Sequence, residues 1–359
     1  MSVQPASEPV EIASLTCAEL AKLARVRVPR GFGAARALYR SALGAGRFEP
    51  ETHGLGAEAC ARWREHFRLS LPEPVRTQQE DGDTGITAKV VLRLHDGLEC
   101  ESVLLPMGDR ATLCISSQVG CKMGCRFCET GRMGLLRNLT TAEILGQLLC
   151  ARHVLGWSFR NVVFMGMGEA LDNLEHVLAA LRVMTDGAGY ALAQEHITVC
   201  TVGRTDGIAQ LAAAGFKRLN LSVSLNAARD ELRSALMPVN RRTPLAELQA
   251  ALASYRPRAN FALGVNYCLM PGINDQRQDA AEIASFCAPL GRVMVNVIPY
   301  NPGLAPIAGA PDEAEIERFI GWLRDEGLPV RRRITKGRSV MAACGQLGNV
   351  ELRRSRRAG

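Results

Sequence analysis

Three cysteines within eight residues constrain this 359-residue chain more than any other feature of its sequence. They lie in the segment Cys121-Lys-Met-Gly-Cys125-Arg-Phe-Cys128. Structural zinc sites take four nitrogen or sulfur ligands, usually as two CxxC-like pairs, so this spacing does not match them. Three thiolates on one loop suit a [4Fe–4S] cluster that leaves one iron without a protein ligand. The motif therefore predicts such a cluster on Cys121, Cys125 and Cys128, with zinc binding and reduced core cysteines as alternatives.

The cysteine content also indicates the cellular compartment. The twelve cysteines are scattered, the N-terminus lacks the basic flank and apolar stretch of a signal peptide, and no apolar run approaches the roughly 20 residues that span a bilayer. Scattered cysteines without an export signal favour a reducing environment over a disulfide framework. We therefore expect a cytoplasmic protein that does not enter the membrane.

Changes in hydrophobic periodicity divide the chain into four segments. Helical spacing predicts a small helical domain over residues 1–85, whose arginines fit either a nucleic-acid surface or simple solvation. Alternating residues around His95-Asp96-Gly97 predict a β-hairpin in the linker 86–108. Strands and helices alternate through residues 109–305, and residues 306–359 contain a helix, a strand and a basic segment.

The alternation predicts an α/β fold in which helices wrap a parallel sheet. It contains about six βα units, fewer than the eight of a closed barrel, so we expect a partial, open TIM-like (β/α)6 barrel. In such folds the chemistry lies at the carboxyl ends of the strands. The residues that fall at this edge are the cluster loop, Gly166–Glu169, Cys200, Ser224 and Asn301.

An iron with an open position needs a bidentate ligand, and the amino and carboxylate groups of S-adenosylmethionine would serve. An electron delivered to the sulfonium of that cofactor then yields a carbon radical, while the protein positions the substrate. Gly166-Met-Gly168-Glu169 follows a strand, and Glu169 can accept hydrogen bonds from the amino group. Such a segment is more often a plain turn, but its place one βα unit after the cluster loop favours a cofactor site.

Other thiols and cations allow a functional and a simpler interpretation. Small neighbours and a preceding cationic run make Cys344 a candidate nucleophile, with an ordinary cysteine as the alternative, whereas Cys114 on its apolar strand resembles a small buried hydrophobe. The simpler interpretation, filling of the core, is preferred for Cys150, Cys268 and Cys287.

The basic run before Cys344 favours contact with phosphate and comprises Arg331, Arg332, Arg333, Lys336 and Arg338. A later run, at Arg353, Arg354, Arg356 and Arg357, fits a basic tail equally well.

The sequence resembles the RlmN/Cfr family of radical S-adenosylmethionine RNA adenine methyltransferases. The segments that carry the resemblance are Arg110–Cys128, Arg137-Asn-Leu-Thr140, Asn161–Glu169, Ser224-Leu225, Ile298–Pro302 and Ala342–Leu347. It spans most of the chain, and it implies a radical S-adenosylmethionine barrel with an N-terminal domain that binds RNA. The implied reaction is methyl transfer to C2 of adenine in 23S rRNA, with tRNA as a second candidate substrate.

The resemblance also implies roles for individual residues. The thiol of Cys344 takes a methyl group by nucleophilic displacement, the methyl carbon is then joined to adenine, and Cys114 attacks Cys344 to form a disulfide and release the product. Glu101 is implied in removal of the ring proton, although the residues alone would make it a solvent-facing hairpin residue. The implied contacts with S-adenosylmethionine are Gly168, Glu169, Cys200, Ser224, Leu225, Asn226 and Asn301.

The chain departs from the family pattern at Ala170, Cys200, Asn226 and Asn266, which puts the identity of the substrate in question. Three alternatives therefore stay open: methylation of adenine C8, a radical enzyme with a non-RNA substrate, and a non-catalytic RNA-binding or iron–sulfur sensor protein. The partners implied are RNA and a low-potential electron donor such as flavodoxin. We expect a monomer.

Overall fold

The structure is a computed structural model that describes residues 8–348, and these form two compact units. Among the described residues, one unit contains residues 8–73 together with Thr140–Ser158 and Glu175–Ala193. The other contains Pro74–Leu139, Phe159–Leu174 and residues 194–348. The predicted basic tail at Arg353–Arg357 lies outside the described residues.

The strands and helices of residues 8–348 have the following bounds. The strands are β1 (Val10–Glu11), β2 (Phe67–Arg68), β3 (Glu73–Glu80), β4 (Thr87–Arg93), β5 (Glu99–Met107), β6 (Arg110–Cys114), β7 (Gln118–Cys121), β8 (Gly134–Asn138), β9 (Asn161–Phe164), β10 (Ile197–Thr201), β11 (Asn220–Ser224), β12 (Leu263–Leu269), β13 (Val293–Pro299) and β14 (Val330–Arg332). The α-helices are α1 (Cys17–Arg27), α2 (Ala35–Ala45), α3 (Ala57–His66), α4 (Glu129–Met133), α5 (Thr141–Leu149), α6 (Leu174–Thr185), α7 (Thr205–Ala213), α8 (Asp230–Leu236), α9 (Leu245–Ser254), α10 (Arg277–Cys287) and α11 (Glu313–Asp325).

The first unit is helical and packs around aromatic side chains. Helix α1 begins where Thr16 and Glu19 form a capping box, which satisfies amide groups that the first turn leaves without helical partners. Trp63 of α3 is fully buried, and its indole Nε1 donates to the carbonyl of Gly31 at 3.1 Å. Burial of a ring of this size contributes about 2–3 kcal/mol to folding. Helices α5 and α6 belong largely to this unit.

The second unit is built on one large sheet with the strand order β14-β13-β12-β11-β10-β9-β6-β5-β4-β3. Strands β6 and β9 to β14 run parallel to one another, which confirms the predicted α/β architecture with a partial barrel. The short apolar runs of β9, β10 and β12 are buried almost without interruption, as expected for parallel strands covered on both faces. The predicted edge therefore exists, and it brings together the ends of several strands.

The sheet continues beyond β6 as an antiparallel region. Strands β4 and β5 form the predicted hairpin, in which Leu94 and Leu98 close the turn and Gly97 adopts a positive φ of 80°. Strand β3 extends this region, and the polar sequence of β3 carries no alternating signal that would have predicted it. No helix among residues 8–348 is both long enough and apolar enough to cross a membrane.

Candidate active site

The cluster loop joins two short strands that the sequence analysis did not predict. Strand β7 ends at Cys121, the loop carries Cys125 and Cys128 into α4, and β8 returns antiparallel to β7. Gly120 has a φ of +76°, and a Cβ at this position would lie 1.8 Å from the carbonyl oxygen of Gly134. This close backbone approach explains why the loop needs glycine beside its first cysteine.

The three cysteines of the motif line one cavity, which has an empty volume of about 930 Å³ including space open to solvent. Burial raises the pKa of the Cys121 thiol to about 12 and raises the pKa of both Cys125 and Cys128. Without a metal these groups therefore remain thiols, whereas bound iron would hold them as thiolates. Soft donors around a common space, two of them buried and Cys128 half-buried, fit an iron–sulfur cluster.

The spacing of these donors also argues against a mononuclear metal. Among residues 8–348 no three side chains of His, Cys, Asp or Glu converge closely enough to hold a single ion. A cubane cluster does not need such convergence, because each cysteine binds a different iron. The arrangement therefore fits the predicted cluster better than the zinc alternative.

The Gly166–Glu169 segment follows β9 and forms another wall of the cavity. A Cβ at Gly166 would lie 2.6 Å from the backbone of Ile115, and one at Gly168 would lie 2.6 Å from Cβ of Gln118. The amides of Ser117 and Gln118 also donate to the carbonyl of Met167. A larger residue at either position would collide with the segment from β6 to β7. Packing of the protein itself therefore requires both glycines, in addition to any close approach of a cofactor.

Glu169 is a buried carboxylate with an exposed fraction of only 2%. Its Oε2 accepts from the amide of Val202 at 2.8 Å and its Oε1 from the amide of Leu171 at 3.1 Å. Burial nevertheless raises its pKa to about 7, and no salt bridge to a cation compensates it among residues 8–348. A buried acceptor on the cavity wall suits the amino group of a cofactor such as S-adenosylmethionine.

The remaining predicted cofactor residues divide into two groups. Cys200, Ser224 and Asn226 line the cavity at the ends of β10 and β11. Asn226 has a positive φ of 58°, and its Oδ1 accepts from the amide of Cys268. Leu225 and Asn301 are buried but do not line the cavity. The backbone amide of Leu225 donates to Asn266 and its carbonyl accepts from Arg233. The side chain of Asn301 faces Arg338 and Cys344.

Cys344 lies on a segment, residues 333–348, that we call the Cys344 segment. The segment is attached to α4 of the cluster loop: the amide of Glu129 donates to the carbonyl of Gly345 at 2.8 Å, and Thr130 Oγ1 donates to the carbonyl of Leu347 at 2.6 Å. Cys344 is accessible and lines the cavity. Desolvation by the surrounding protein raises the pKa of its thiol, while the charge of Arg333 opposes this shift.

Glu101 lies on β5 with an exposed fraction of 6%, so the expectation from residues alone of a solvent-facing side chain is wrong. Its Oε2 accepts from the amide of Gly348 at 3.2 Å and lies 3.9 Å from Lys89 Nζ. Lys89 in turn donates to the carbonyl of Met341. Burial raises the pKa of Glu101, and the charge of Lys89 partly offsets this effect. Glu101 therefore belongs to the surroundings of the Cys344 segment.

Cys114, at the end of β6, is the other predicted catalytic thiol. It is buried, and burial together with the nearby charges of Cys344 and Cys200 raises its pKa. All twelve cysteines lie within the described residues and all are free, so the Cys114–Cys344 disulfide that the resemblance implied is not present as a structural bond.

Three cations of the basic run already have protein partners. Arg332 pairs with Glu313 and Glu317, Lys336 donates to the carbonyl of Pro106, and Arg338 donates to Asn301 Oδ1. These side chains therefore serve to hold the Cys344 segment and β14. This is a different use from the phosphate contacts that the sequence favoured.

Two residues near the site were missed or misjudged from the sequence. Cys268 was assigned to the core together with Cys150 and Cys287, but only the latter two are buried, and Cys268 lines the cavity. Its place at the end of a predicted strand was the available signal. Arg233 of α8 was not singled out, yet it is 1% exposed and hydrogen-bonded to backbone beside the cavity.

Comparisons with known proteins agree with this geometry. Residues 115–287 match the model of the radical SAM superfamily. A probable dual-specificity RNA methyltransferase RlmN 1 from Protochlamydia amoebophila is 46% identical over 79% of this chain and 78% of the relative. A dual-specificity RNA methyltransferase RlmN from Syntrophotalea carbinolica is 43% identical over 80% and 76%.

A solved structure is similar as well. The crystal structure of a radical SAM methyltransferase from Sphaerobacter thermophilus matches with a TM-score of 0.86 and 36% identity, covering 94% of this chain and 99% of that one. The cofactors of such an enzyme are a [4Fe–4S] cluster and S-adenosylmethionine, and the cavity has donors suited to both. The sequence identity, the fold and the cysteine-lined cavity together show that the chain belongs to the RlmN family of radical SAM RNA methyltransferases.

Proposed function

We propose that this enzyme methylates C2 of adenine in 23S rRNA and in tRNA through an S-methylcysteine on Cys344. Both relatives described above are named dual-specificity RNA methyltransferases, which supports two classes of RNA substrate. The single observation that carries the proposal is the attachment of the Cys344 segment to α4, directly after Cys128. It brings an accessible thiol to the wall of the cavity that the three motif cysteines line.

Cys344 is proposed to act first as a nucleophile. As a thiolate it displaces S-adenosylhomocysteine from S-adenosylmethionine, so the sulfur gains a methyl group and the sulfonium loses one. The charge of Arg333 opposes the effect of burial on this thiol and so favours the reactive form. The cluster and a second S-adenosylmethionine supply, when bound, the one-electron chemistry that activates the S-methyl group for addition to an aromatic carbon.

Glu101 and Cys114 are proposed to complete the reaction. Glu101 accepts the proton of the adenine ring, and its raised pKa makes it a better base than an exposed glutamate. The Cys114 thiolate then attacks the sulfur of Cys344, which forms a disulfide and breaks the bond between that sulfur and the methylene carbon. The electron pair of the broken bond stays with the carbon, which takes up a proton and becomes the methyl group. A low-potential donor such as flavodoxin is proposed to supply the electrons. The enzyme is proposed to be monomeric and cytoplasmic.

RNA is proposed to contact the helical N-terminal unit. Arg25, Arg30, Arg36 and Arg40 are exposed there on or beside α1 and α2. Arginines can bind phosphate through paired hydrogen bonds, and release of counterions would make the affinity fall steeply with salt. The target base must leave its stack to reach the cavity, which favours loops and ends of RNA over regular duplex.

The test is an anaerobic reaction of the reconstituted, iron- and sulfide-loaded enzyme with methyl-deuterated S-adenosylmethionine and unmodified 23S rRNA or tRNA. Mass spectrometry should find deuterium on the peptide of Cys344 and in methyladenosine, and chromatography against standards should identify the C2 isomer. Cys344→Ala should abolish both labels, while Cys114→Ala should retain RNA covalently on the protein. Label in RNA but not on Cys344 would refute the cysteine route, and the C8 isomer would refute the C2 assignment.

A further inference from the structure

The buried guanidinium of Arg233 connects the two strands that carry the cofactor contacts. Its Nη2 donates to the carbonyls of Val202, at 2.6 Å, and Ser224, at 3.3 Å, and its Nε donates to the carbonyl of Leu225 at 3.1 Å. These carbonyls lie just beyond or at the carboxyl ends of β10 and β11. One side chain therefore ties together two strand ends at the cavity.

The same strand ends present groups to the cavity on their other side. The amide of Val202 donates to Glu169 Oε2 at 2.8 Å, so the peptide groups around Val202 connect Arg233 with the buried carboxylate. Ser224 and Asn226 line the cavity on either side of Leu225. A displacement of these carbonyls would therefore move three of the groups that face the cofactor.

Helix α8, which carries Arg233, also supports the cluster loop. The amide of Arg126, between Cys125 and Cys128, donates to the carbonyl of Leu236 at 3.0 Å. Leu236 and Met237 pack in one apolar cluster with Cys121 and Cys125. The helix thus lies between the cysteine loop and the two strand ends, and it contacts both.

The orientation of Arg233 is itself controlled by α8 and the turn after it. Nη1 donates to Asn240 Oδ1 at 2.7 Å, and Asn240 Nδ2 donates to Asp230 Oδ1 at 2.7 Å. Arg233 is 1% exposed, and no carboxylate forms a salt bridge with it among residues 8–348. A buried guanidinium is costly compared with an apolar side chain, so packing alone does not account for it.

We propose that Arg233 is a positioning residue that holds the ends of β10 and β11, and with them Glu169, Ser224 and Asn226, in the geometry that binds S-adenosylmethionine. The inference concerns the cofactor site of the proposed methyltransferase and does not depend on which RNA base is modified. A planar guanidinium can bond several carbonyls at fixed angles, whereas an ammonium cannot reproduce that fork.

The test measures binding of S-adenosylhomocysteine, which has no transferable methyl group, to the cluster-loaded enzyme by calorimetry. R233Q and R233K should each bind about 10–100-fold more weakly than the unaltered protein, as is typical when a group that orients ligands is lost. The exposed Arg242→Gln serves as the matched control and should not change the affinity. Hydrogen exchange of the cofactor-free protein should increase at residues 200–204 and 222–227 in the Arg233 variants only.

Several outcomes would overturn the proposal. The proposal would be overturned if R233Q and R233K keep their iron and bind S-adenosylhomocysteine within twofold of the unaltered protein. It would also be overturned if R233K alone keeps the full affinity, which would show that charge alone matters. If R233Q does not fold, R233K decides by the same comparison. Binding requires no RNA, so a failure to methylate RNA would refute the proposed function and leave this test intact.

Discussion

The parallel and antiparallel halves of the large sheet contribute to the site in different ways. In the parallel half, β6 and β9 to β14, the strand ends themselves provide cavity residues such as Cys200 and Ser224. In the antiparallel half, β3 to β5, side chains instead hold the Cys344 segment. Glu80 accepts from Gly337 and Ser339, Lys89 donates to the carbonyl of Met341, and Glu101 accepts from Gly348.

This difference separates the two functions that a methyltransferase of this kind needs. The cofactor site follows from a general property of parallel sheets, whose carboxyl ends meet at one edge. The position of the Cys344 thiol, the proposed nucleophile, depends on contacts between residues about 250 positions apart in the chain, such as Glu80 and Ser339. Changes in the parallel half should therefore affect cofactor binding, and changes in the antiparallel half should affect Cys344.

The largest expected effect is loss of the cluster in Cys125→Ala. The variant removes one of the three proposed ligands, so we expect little iron after reconstitution and methylation reduced by at least about a thousandfold, since all one-electron chemistry requires the cluster. Iron analysis and the visible absorption spectrum measure this directly. Cys287→Ala, a buried cysteine of α10 outside the cavity, should keep its iron. Normal iron content in Cys125→Ala would contradict the assignment of the ligands.

Two glycines with similar backbone conformation compare the cluster loop with the antiparallel half of the large sheet. Gly120 beside Cys121 and Gly97 in the β4–β5 hairpin have φ values of +76° and +80°. In Gly120→Ala the new Cβ meets the backbone of Gly134, whereas a Cβ at Gly97 meets no atom within 4 Å. We expect Gly120→Ala to lower the free energy of unfolding by about 4 kcal/mol and Gly97→Ala by about 1 kcal/mol. Urea unfolding measures both, and equal losses would show that the close contact is relieved by backbone movement.

Much of this architecture could be predicted because its signals are local. The apolar runs of β9 to β13 and the capping box of Thr140 and Glu143 at α5 are read directly from neighbouring residues. Strand β3 and the burial of Glu101 could not be predicted, because they arise from pairing with β4 and from the Cys344 segment. Arg233 was missed because nothing in its neighbours indicates that it is buried.

The next effect concerns two buried glutamates, one from each half. Burial raises the pKa of Glu169 from 4.5 to about 7, so its folded state binds more protons than its unfolded state. The stability of the cofactor-free protein should therefore fall by about 2–3 kcal/mol as the pH rises from about 4.5 to about 7. Glu169→Gln should remove this slope, measured by urea unfolding at several pH values. Glu101→Gln should change the pH dependence of stability less, because Lys89 already offsets the burial of Glu101. If neither variant changes the pH dependence, its assignment to these two glutamates would be contradicted.

The smallest effect is expected from Glu80→Gln in β3. The carboxylate of Glu80 accepts from the amides of Gly337 and Ser339 and from the hydroxyl of Ser339. Burial raises the pKa of Glu80, but these hydrogen bonds outweigh that effect, so the net shift of its pKa is downward. The stabilisation from the ionised carboxylate is therefore present above the usual glutamate pKa and is lost as the pH falls below about 4.5. An amide can replace only part of this arrangement, and the local opening free energy of the Cys344 segment should fall by about 1–2 kcal/mol.

Hydrogen exchange at residues 337–344 of Glu80→Gln measures this opening, and the rate at which Cys344 acquires the methyl label measures its consequence. Because the proposed cofactor contacts belong to the parallel half, the affinity for S-adenosylhomocysteine should stay within twofold of the unaltered protein. A variant that loses cofactor affinity in step with methylation of Cys344 would show that the two halves act as one unit. Slower labelling at unchanged affinity would instead establish that β3 serves the nucleophile alone, as the separation of the hydrogen bonds between the two halves predicts.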